Sequence, residues 1–187
     1  MSQADNKPWR TLGSRIVYEN PWLKVHEDKT QMPNGKEGIY GFIEGGSGIF
    51  IIALNKENEM YLIESFRHPT QKWQWELPTG GIEKGSTPLE TAKNELAEEL
   101  GITAKKWTPL KPYMPSHNGF MNDTQYVFVA EDLEVGEQHL GEFEAIRTVK
   151  TVSFKNLMQM VRDGELMDGQ SLAALMQFVA WRETVGS

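Results

Sequence analysis

The chain has 187 residues, carries a formal net charge of −7 and contains no cysteine. This length suits one well-cored folding unit, and the missing cysteines exclude a disulfide framework, a thiol nucleophile and a cysteine-based zinc site. The acidic balance argues against a general nucleic-acid binder. Because no stretch approaches a membrane-spanning run and the opening residues are polar, we expect a cytoplasmic protein with a small-molecule substrate and no membrane partner.

The first half of the chain consists mainly of short runs in which apolar and polar residues alternate, which is the pattern of half-buried strands. The predicted strands are residues 15–19, 22–27, 38–43, 48–54 and 60–66. A turn at residues 33–36 joins the second and third runs into a hairpin. The first half is therefore predicted to be mostly sheet.

A short helix is predicted after the glycine turn at Gly80 and Gly81. Thr87 is a good N-cap, Pro88 suits the first helical position, and Glu90 stands where a capping box needs its acid. Gly101 supplies the stop. An apolar face at helical spacing, which predicts packing on a core, is formed by Leu89, Ala92, Leu96 and Leu100.

The same helix concentrates acidic side chains at Glu95, Glu98 and Glu99, which stand at positions i, i+3 and i+4. A helix brings these carboxylates to one flank, where like charges repel. A divalent cation would compensate that repulsion. The alternative is that they form the solvated face of a glutamate-rich helix end.

The second half of the chain predicts strands at residues 106–110 and 126–130 with a long loop between them. Two helical patterns follow, from Ser153 to Val161 and from Ser171 to about Thr184, and each opens on a serine that can cap it. Strands on both sides of a central helix, with helices closing the chain, predict an α/β/α sandwich on a mixed sheet.

The stretch from Gly80 to Ile102 resembles the signature of the Nudix hydrolases, which is Gly, five residues, Glu, seven residues and Arg-Glu-aliphatic-x-Glu-Glu-x-Gly-aliphatic. With Gly80 as the first signature residue, six further positions match without insertion: Glu95, Leu96, Glu98, Glu99, Gly101 and Ile102. Two positions depart, because Ser86 stands where the family has its first Glu and Asn94 stands where it has Arg. So long a gapped pattern is far more specific than a lone glycine motif.

The resemblance implies hydrolysis of a diphosphate linked to another moiety, with Mg²⁺ or Mn²⁺ as cofactor. It implies that Glu95, Glu98 and Glu99 are the metal ligands, with the backbone carbonyl of Thr79 as a further ligand. Glu98 and Glu99 are also the predicted catalytic residues. Ser86 and Asn94 weaken the expected site, since one removes a charge near the metals and the other removes a fork of donors.

The resemblance extends to the ADP-ribose pyrophosphatase branch and covers most of residues 14–180. It rests on an N-terminal sheet of about forty residues, on residues 66–68 and 75–80, and on a proline-containing loop before residues 128–130. It implies a homodimer, with residues 1–45 as an antiparallel sheet extension that serves dimerisation and the substrate cleft. Residues 46–187 form the Nudix domain, and the whole is expected to be one folding unit.

Four residues are predicted substrate contacts: Arg67, Glu76, Trp75 and Phe120. Arg67 meets phosphates in this branch, and a surface salt bridge is its alternative. Glu76 is either a buried acid paired with Arg67 or an outer metal or ribose contact. Trp75 and Phe120, like Trp73, either stack on a base or belong to the core.

The branch takes its general base from a late acidic loop. In this chain Glu144 is the first candidate and Glu142 the second, just before residues 145–147. A flexible loop suits a residue that moves in when substrate binds. The alternative is that both acids are solvated loop residues.

The predicted function is metal-dependent hydrolysis of a nucleoside diphosphate linked to a sugar, with ADP-ribose first and a nucleotide-sugar second. The alternative, suggested by Ser86 and Asn94, is a catalytically weak or inactive nucleotide-binding or regulatory module on the same fold.

Overall fold

The computed structural model describes residues 7–111, 117–138 and 145–185. These residues fall into two compact units. The first comprises the described residues up to Gly46 together with His117–Asp123, and the second comprises the described remainder from Ser47 onward. The division at residues 45 and 46 that the sequence suggests, within one folding unit, stays a prediction.

The first unit is an antiparallel meander of three strands in the order β1-β2-β3. Their bounds are β1 Arg10–Glu19, β2 Leu23–Gln31 and β3 Glu37–Gly45. Gly35 has a φ of 80° in the turn between the second and third strands, which is a conformation that glycine adopts without strain. The predicted hairpin and N-terminal antiparallel sheet are confirmed.

The second unit contains seven strands and three helices among its described residues. The strands are β4 Gly48–Ala53, β5 Met60–Arg67, β6 Lys72–Glu76, β7 Thr79–Gly81, β8 Ile102–Pro109, β9 Gln125–Val135 and β10 Ile146–Val152. The helices are α1 Pro88–Leu100, α2 Phe154–Asp163 and α3 Gly169–Val185. None of the described helices is long and apolar enough to cross a membrane.

Two sheets organise this unit. A mixed sheet has the order β7-β4-β9-β8, in which β4 and β9 run parallel and the other pairs are antiparallel. An antiparallel sheet has the order β10-β5-β6. The parallel pair, β4 and β9, is central in the mixed sheet. Its connection along the chain includes the helix α1, since parallel strands require a crossover.

The core lies on both faces of the mixed sheet. Every residue of β4 is buried, so successive side chains enter opposite layers. Phe50 and Ile52 join the cluster that includes Leu157 of α2 and Phe178 of α3, whereas Ile51 joins the cluster around Leu96 of α1. Helices therefore cover both faces, and the predicted α/β/α sandwich on a mixed sheet is confirmed.

The predicted boundaries of α1 are confirmed. Thr87 accepts the backbone N–H of Glu90, and the Glu90 carboxylate accepts the backbone N–H of Thr87 at 2.9 Å, which completes the capping box. Gly101 ends the helix with a φ of 65°. The cap on α2 is also confirmed, since the Ser153 hydroxyl accepts the N–H of Asn156 at 3.3 Å.

Two expectations about the elements are wrong, and one strand was not expected at all. Residues 146–152 form the strand β10, for which the sequence pattern predicts no element. Residues 79–81 form the short strand β7 where a glycine turn was expected. Ser171 does not cap α3, because its hydroxyl accepts the N–H of Leu77 at 3.0 Å. Asp168 supplies the cap instead, and its carboxylate accepts the N–H of Ser171 at 2.7 Å.

Candidate active site

A cavity of about 190 Å³ in the second unit brings together four residues that the sequence predicts for the site: Arg67, Thr79, Glu95 and Glu99. The remaining lining residues are Ser65, Phe66, Gly80, Ala145 and Ile146. Two larger hollows in the same unit contain none of the predicted site residues. The small cavity is therefore the candidate active site.

Glu99 is fixed in this cavity by the segment Leu77–Thr79, which ends at the first residue of β7. Only 4% of its surface is exposed, and its carboxylate accepts the backbone N–H of Thr79 at 3.0 Å. The hydroxyl of Thr79 in turn donates to the backbone carbonyl of Ile49 at 2.7 Å. A carboxylate this buried needs donors to remain charged, and the segment supplies one.

Glu95 lies directly over Gly80. A Cβ atom built on Gly80 would stand 1.8 Å from Oε1 of Glu95 and 2.5 Å from its Cγ. Only a glycine permits this approach, because any side chain would occupy the position of the carboxylate. The first glycine of the signature thus makes room for one of its acids.

The donor set suits a hard divalent cation, because Glu95 and Glu99 place two carboxylates in one cavity next to the backbone of Thr79. Glu98 is exposed on α1 and does not line the cavity. Among the described residues, no three acidic, histidine or cysteine side chains converge closely enough to hold a metal ion. The metal ligands, Glu98 included, stay a prediction.

Arg67, at the end of β5, forms a forked ion pair with Glu76 of β6. Its Nε donates to Oε1 at 2.9 Å and to Oε2 at 3.0 Å, and its Nη2 donates to Oε2 as well. The Glu76 side chain is 1% exposed and the Arg67 side chain 44% exposed. The pair is therefore an anchor in which a buried carboxylate holds a partly exposed guanidinium of the cavity wall, and this is the first of the two alternatives for Glu76. Substrate contacts by Arg67 and by Glu76 stay predictions.

The electrostatics of the pair favour a permanently charged guanidinium. The hydrogen bond to Glu76 raises the pKa of Arg67, and the charges of Glu76, Asp168 and Glu99 act in the same direction, against a smaller lowering by burial. A cation with a planar fork of donors is suited to phosphate oxygens.

Trp75 lies on the other face of the sheet from this anchor. Neighbouring residues of a strand point to opposite faces, and Trp75 is directly opposite Glu64 on β5, whereas Glu76 is opposite Ile63. Its ring packs on the core and lies 3.8 Å from the Lys150 ammonium. Trp75 does not line the cavity, and its role as a substrate contact stays a prediction.

The neighbouring aromatic candidates are also placed. The guanidinium of Arg147 lies 4.6 Å above the ring of Trp73. Phe120 belongs to the first unit, where its ring centroid is 5.1 Å from that of His117. Stacking of a base on Phe120 stays a prediction.

The candidate bases Glu142 and Glu144 lie outside the described residues. The chain re-enters the described part at Ala145, whose carbonyl accepts the N–H of Phe66 at 2.9 Å. Ala145 and Ile146 both line the cavity. The described residues that directly follow Glu142 and Glu144 in the sequence are therefore at the candidate site.

Ser86 and Asn94, the two departures from the signature, are both exposed and do not line the cavity. Ser86 donates its backbone N–H to the carbonyl of Glu83 at 3.1 Å within the turn before α1. Neither departure therefore alters a residue that lines the cavity.

Sequence reasoning did not identify Gln74, whose side-chain amide donates to Oε1 of Glu76 at 2.7 Å. The available signal was the two-residue period of β6. If Glu76 faces the site, Gln74 faces it too, and Trp73 and Trp75 face away.

Comparisons with known proteins assign the family. The model of the NUDIX domain matches residues 46–174. The chain belongs to the Nudix family. A model described as the nucleoside diphosphate sugar hydrolase N-terminal domain matches residues 9–43.

Relatives of this Nudix protein match over nearly its whole length. An ADP-ribose pyrophosphatase from Bacillus subtilis is 28% identical over 94% of this chain and 95% of its own length. A methanol dehydrogenase activator from Bacillus methanolicus is 25% identical over the same shares. A crystal structure titled as an ADP compounds hydrolase superimposes with a TM-score of 0.83 and 20% identity, covering 96% of this chain and 97% of the other, and it supports the fold.

These findings confirm the resemblance to the ADP-ribose pyrophosphatase-like branch and the interpretation of the chain as a Nudix pyrophosphohydrolase. The family acts on small-molecule nucleotide substrates and in general uses divalent metals.

Proposed function

We propose that this Nudix enzyme hydrolyses the pyrophosphate of a nucleoside diphosphate linked to a sugar, with ADP-ribose as the first substrate class and nucleotide-sugars as the second. The observation that carries the proposal is the cavity in which the guanidinium of Arg67 meets the carboxylates of Glu95 and Glu99. The similarity to the Bacillus subtilis ADP-ribose pyrophosphatase and to the nucleoside diphosphate sugar hydrolase model favours these two classes.

The proposal includes Mg²⁺ or Mn²⁺ held by Glu95, Glu98 and Glu99 with the carbonyl of Thr79. A bound cation of this kind neutralises phosphate oxygens and makes water a better nucleophile. The buried bond from the Thr79 N–H to Glu99 fixes one carboxylate and this backbone segment relative to each other. This preorganisation spares the site the entropy of ordering both when substrate binds.

In the proposed reaction, Arg67 binds the diphosphate oxygens and orients the bridging bond. Its fork to Glu76 engages Nε and Nη2, so the arginine is held by one edge. Glu144, or Glu142 as the second candidate, accepts the proton of the attacking water. The attachment of their loop at Ala145, on the cavity wall, supports this role.

The rival function is a nucleotide-binding or regulatory module that does not turn over substrate. Ser86 and Asn94 are its motivation. Their exposed positions outside the cavity favour the enzyme, because neither departure alters a residue that lines the cavity.

We also propose that the first unit mediates a homodimer. The first unit exposes several large apolar side chains, and the surface of a monomeric soluble protein rarely exposes so many. The most exposed are Trp22 at 79%, Ile39 at 71% and Tyr18 at 56%. Sedimentation equilibrium of the full chain tests this, and a monomer at micromolar concentration contradicts it.

The first test of the function is hydrolysis of ADP-ribose, nucleotide-sugars, dinucleoside polyphosphates and nucleoside triphosphates with Mg²⁺, with Mn²⁺ and with chelator. Selective cleavage that the chelator abolishes supports the proposal. No cleavage across the panel, together with measurable nucleotide binding, supports the rival module.

The sharper test is Glu99→Gln. The amide oxygen can still accept the Thr79 N–H, so the fold stays intact, while the charge is lost. We expect turnover to fall by about two orders of magnitude or more. Glu83→Gln, at an exposed position before α1, is the control. Equal activity of the two variants would refute the assignment of Glu99.

A further inference from the structure

We propose that Gln74 is a positioning residue for substrate binding, because its amide holds the Glu76 carboxylate in the orientation that aims Arg67 at the cavity. This inference rests on the proposed role of Arg67 as the residue that binds the diphosphate. Gln74 is not among the residues that line the cavity, and its side-chain amide donates to Glu76 and to neither acid of α1 among the described hydrogen bonds.

The geometry of the buried carboxylate carries the inference. Oε1 of Glu76 accepts Nε of Arg67 at 2.9 Å and the amide of Gln74 at 2.7 Å. Oε2 accepts Nε at 3.0 Å and also Nη2. Among the described residues, Gln74 is thus the donor other than Arg67 that fixes the plane of the Glu76 carboxylate.

The pairing of β6 with β5 fixes the position from which the Gln74 side chain reaches Glu76. Gln74 is directly opposite Ser65 on β5, a residue of the cavity wall. On the other face, Trp73 lies with its ring centroid 5.6 Å from that of Phe66, and Trp75 packs on the core. The packing of Trp73 and Trp75, the two sequence neighbours of Gln74, therefore holds the backbone from which the Gln74 amide reaches Glu76.

Loss of the hydrogen bond from Gln74 to Glu76 is expected to weaken substrate binding and not to slow the chemical step. Glu76 is almost fully buried, so its carboxylate, on losing the Gln74 amide, is expected to rotate towards Arg67, the other described residue that donates to it. The free edge of the guanidinium would then turn away from the diphosphate. Since Gln74 does not reach the acids of α1, we expect KM to change and kcat to hold.

The experiment is a double-mutant cycle with ADP-ribose and Mg²⁺, using Gln74→Met, Arg67→Lys and the combined variant. Gln74→Met keeps the length of the side chain and removes the donor. We expect it to raise KM about three- to tenfold, with kcat within about twofold, as the net contribution of one typical hydrogen bond predicts. In the Arg67→Lys background it is expected to add less than about twofold, because both changes act on the same guanidinium.

A second readout does not depend on turnover. The Kd of α,β-methylene ADP-ribose, measured by calorimetry, is expected to rise by the same factor as KM. Gln159→Met is the matched control, because the Gln159 amide also donates to a carboxylate, that of Asp163 on the exposed part of α2, at 2.8 Å. It is expected to change neither constant. If Gln74→Met fails to fold, Gln74→Asn keeps the amide but shortens its reach, and the same result is expected.

The outcomes separate the inference from the proposed function. If Arg67→Lys leaves KM and Kd unchanged, the role of Arg67 fails and this inference fails with it. If Arg67→Lys raises both constants but Gln74→Met raises them by the same factor in both backgrounds, or not at all, only the inference about Gln74 is overturned. A fall in kcat with KM unchanged overturns it as well.

Discussion

Replacing Gly80 by alanine would place a methyl group where the carboxylate of Glu95 now lies. The new Cβ would stand 1.8 Å from Oε1 and 2.1 Å from Cδ, whereas ordinary contacts begin at 3.4 Å. The carboxylate must therefore retreat by about 1.6 Å, which is the difference between the 3.4 Å of an ordinary contact and the 1.8 Å from the new Cβ to Oε1. This is a direct displacement of one predicted metal ligand.

The fold should tolerate the change. Gly80 does not have a positive φ, so alanine fits its backbone, and the obstructing atoms belong to a long side chain that can change rotamer at a cost of about 1 kcal/mol. The lower entropy of alanine in the unfolded chain offsets part of that cost. We expect Tm to change by less than about 4 °C.

Activity should respond far more strongly than stability. A displacement of more than about 1 Å at a reacting centre costs about a hundredfold in rate, and we expect kcat/KM for ADP-ribose with Mg²⁺ to fall by this factor. Gly81→Ala is the matched control, because nothing lies within 4 Å of its added Cβ. If Gly80→Ala is folded and as active as Gly81→Ala, the reasoning about Glu95 is refuted.

Three further changes test the structure itself. Thr87→Ala removes the cap of α1 and should lower the free energy of unfolding by about 1 kcal/mol, seen as a Tm lower by about 2–4 °C; an unchanged Tm contradicts the cap. Ser171→Ala leaves the Leu77 N–H without its acceptor and should cost about 1–3 kcal/mol in urea titrations, and an unchanged midpoint is the opposing result. The hydrogen bond from Arg147 lowers the pKa of Glu64, so the pair stabilises the fold above the unfolded pKa of Glu64 and loses this effect as pH falls through the lowered folded pKa. Arg147→Gln should therefore lower Tm at pH 7 and matter less near pH 2, and a difference that is constant with pH would refute this.

The helix α1 was predictable in full because its signals are local. Thr87 and Glu90 cap each other within one turn, and Gly101 ends the helix with a positive φ that glycine adopts at low cost. Neither signal depends on the rest of the chain. The acids that the signature predicts as metal ligands are on this helix, and two of them, Glu95 and Glu99, line the candidate cavity. Their role as ligands stays a prediction.

The cap of α3 could not be predicted because its decisive contact is not local. Ser171 looks like a helix cap, but its hydroxyl is taken by the N–H of Leu77, 94 residues earlier in the chain. Asp168 then satisfies the helix end. Only the packed fold decides which of two suitable residues is free to cap.

The strand β10 was not predicted because its three apolar residues, Ile146, Val149 and Val152, stand three apart and do not show the alternation of a half-buried strand. It forms because β5 offers an edge for antiparallel pairing. In contrast, the orientation of Trp75 was present in the sequence. Its neighbour Glu76 faces the anchor of Arg67, and the period of a strand sends adjacent side chains to opposite faces.

The segment Leu77–Thr79 is held by parts of the chain that are far apart in sequence. Leu77 donates to Ser171 of α3, Pro78 accepts the N–H of Ile51 at 2.9 Å, and Thr79 donates to Ile49 and to Glu99 of α1. The amide protons of Leu77 and Thr79 should therefore exchange with deuterium only when the second unit unfolds as a whole. A nascent or nicked chain that lacks α3 has no acceptor for the Leu77 N–H, so the segment is incompletely held. We therefore expect substrate binding only once the second unit has finished folding.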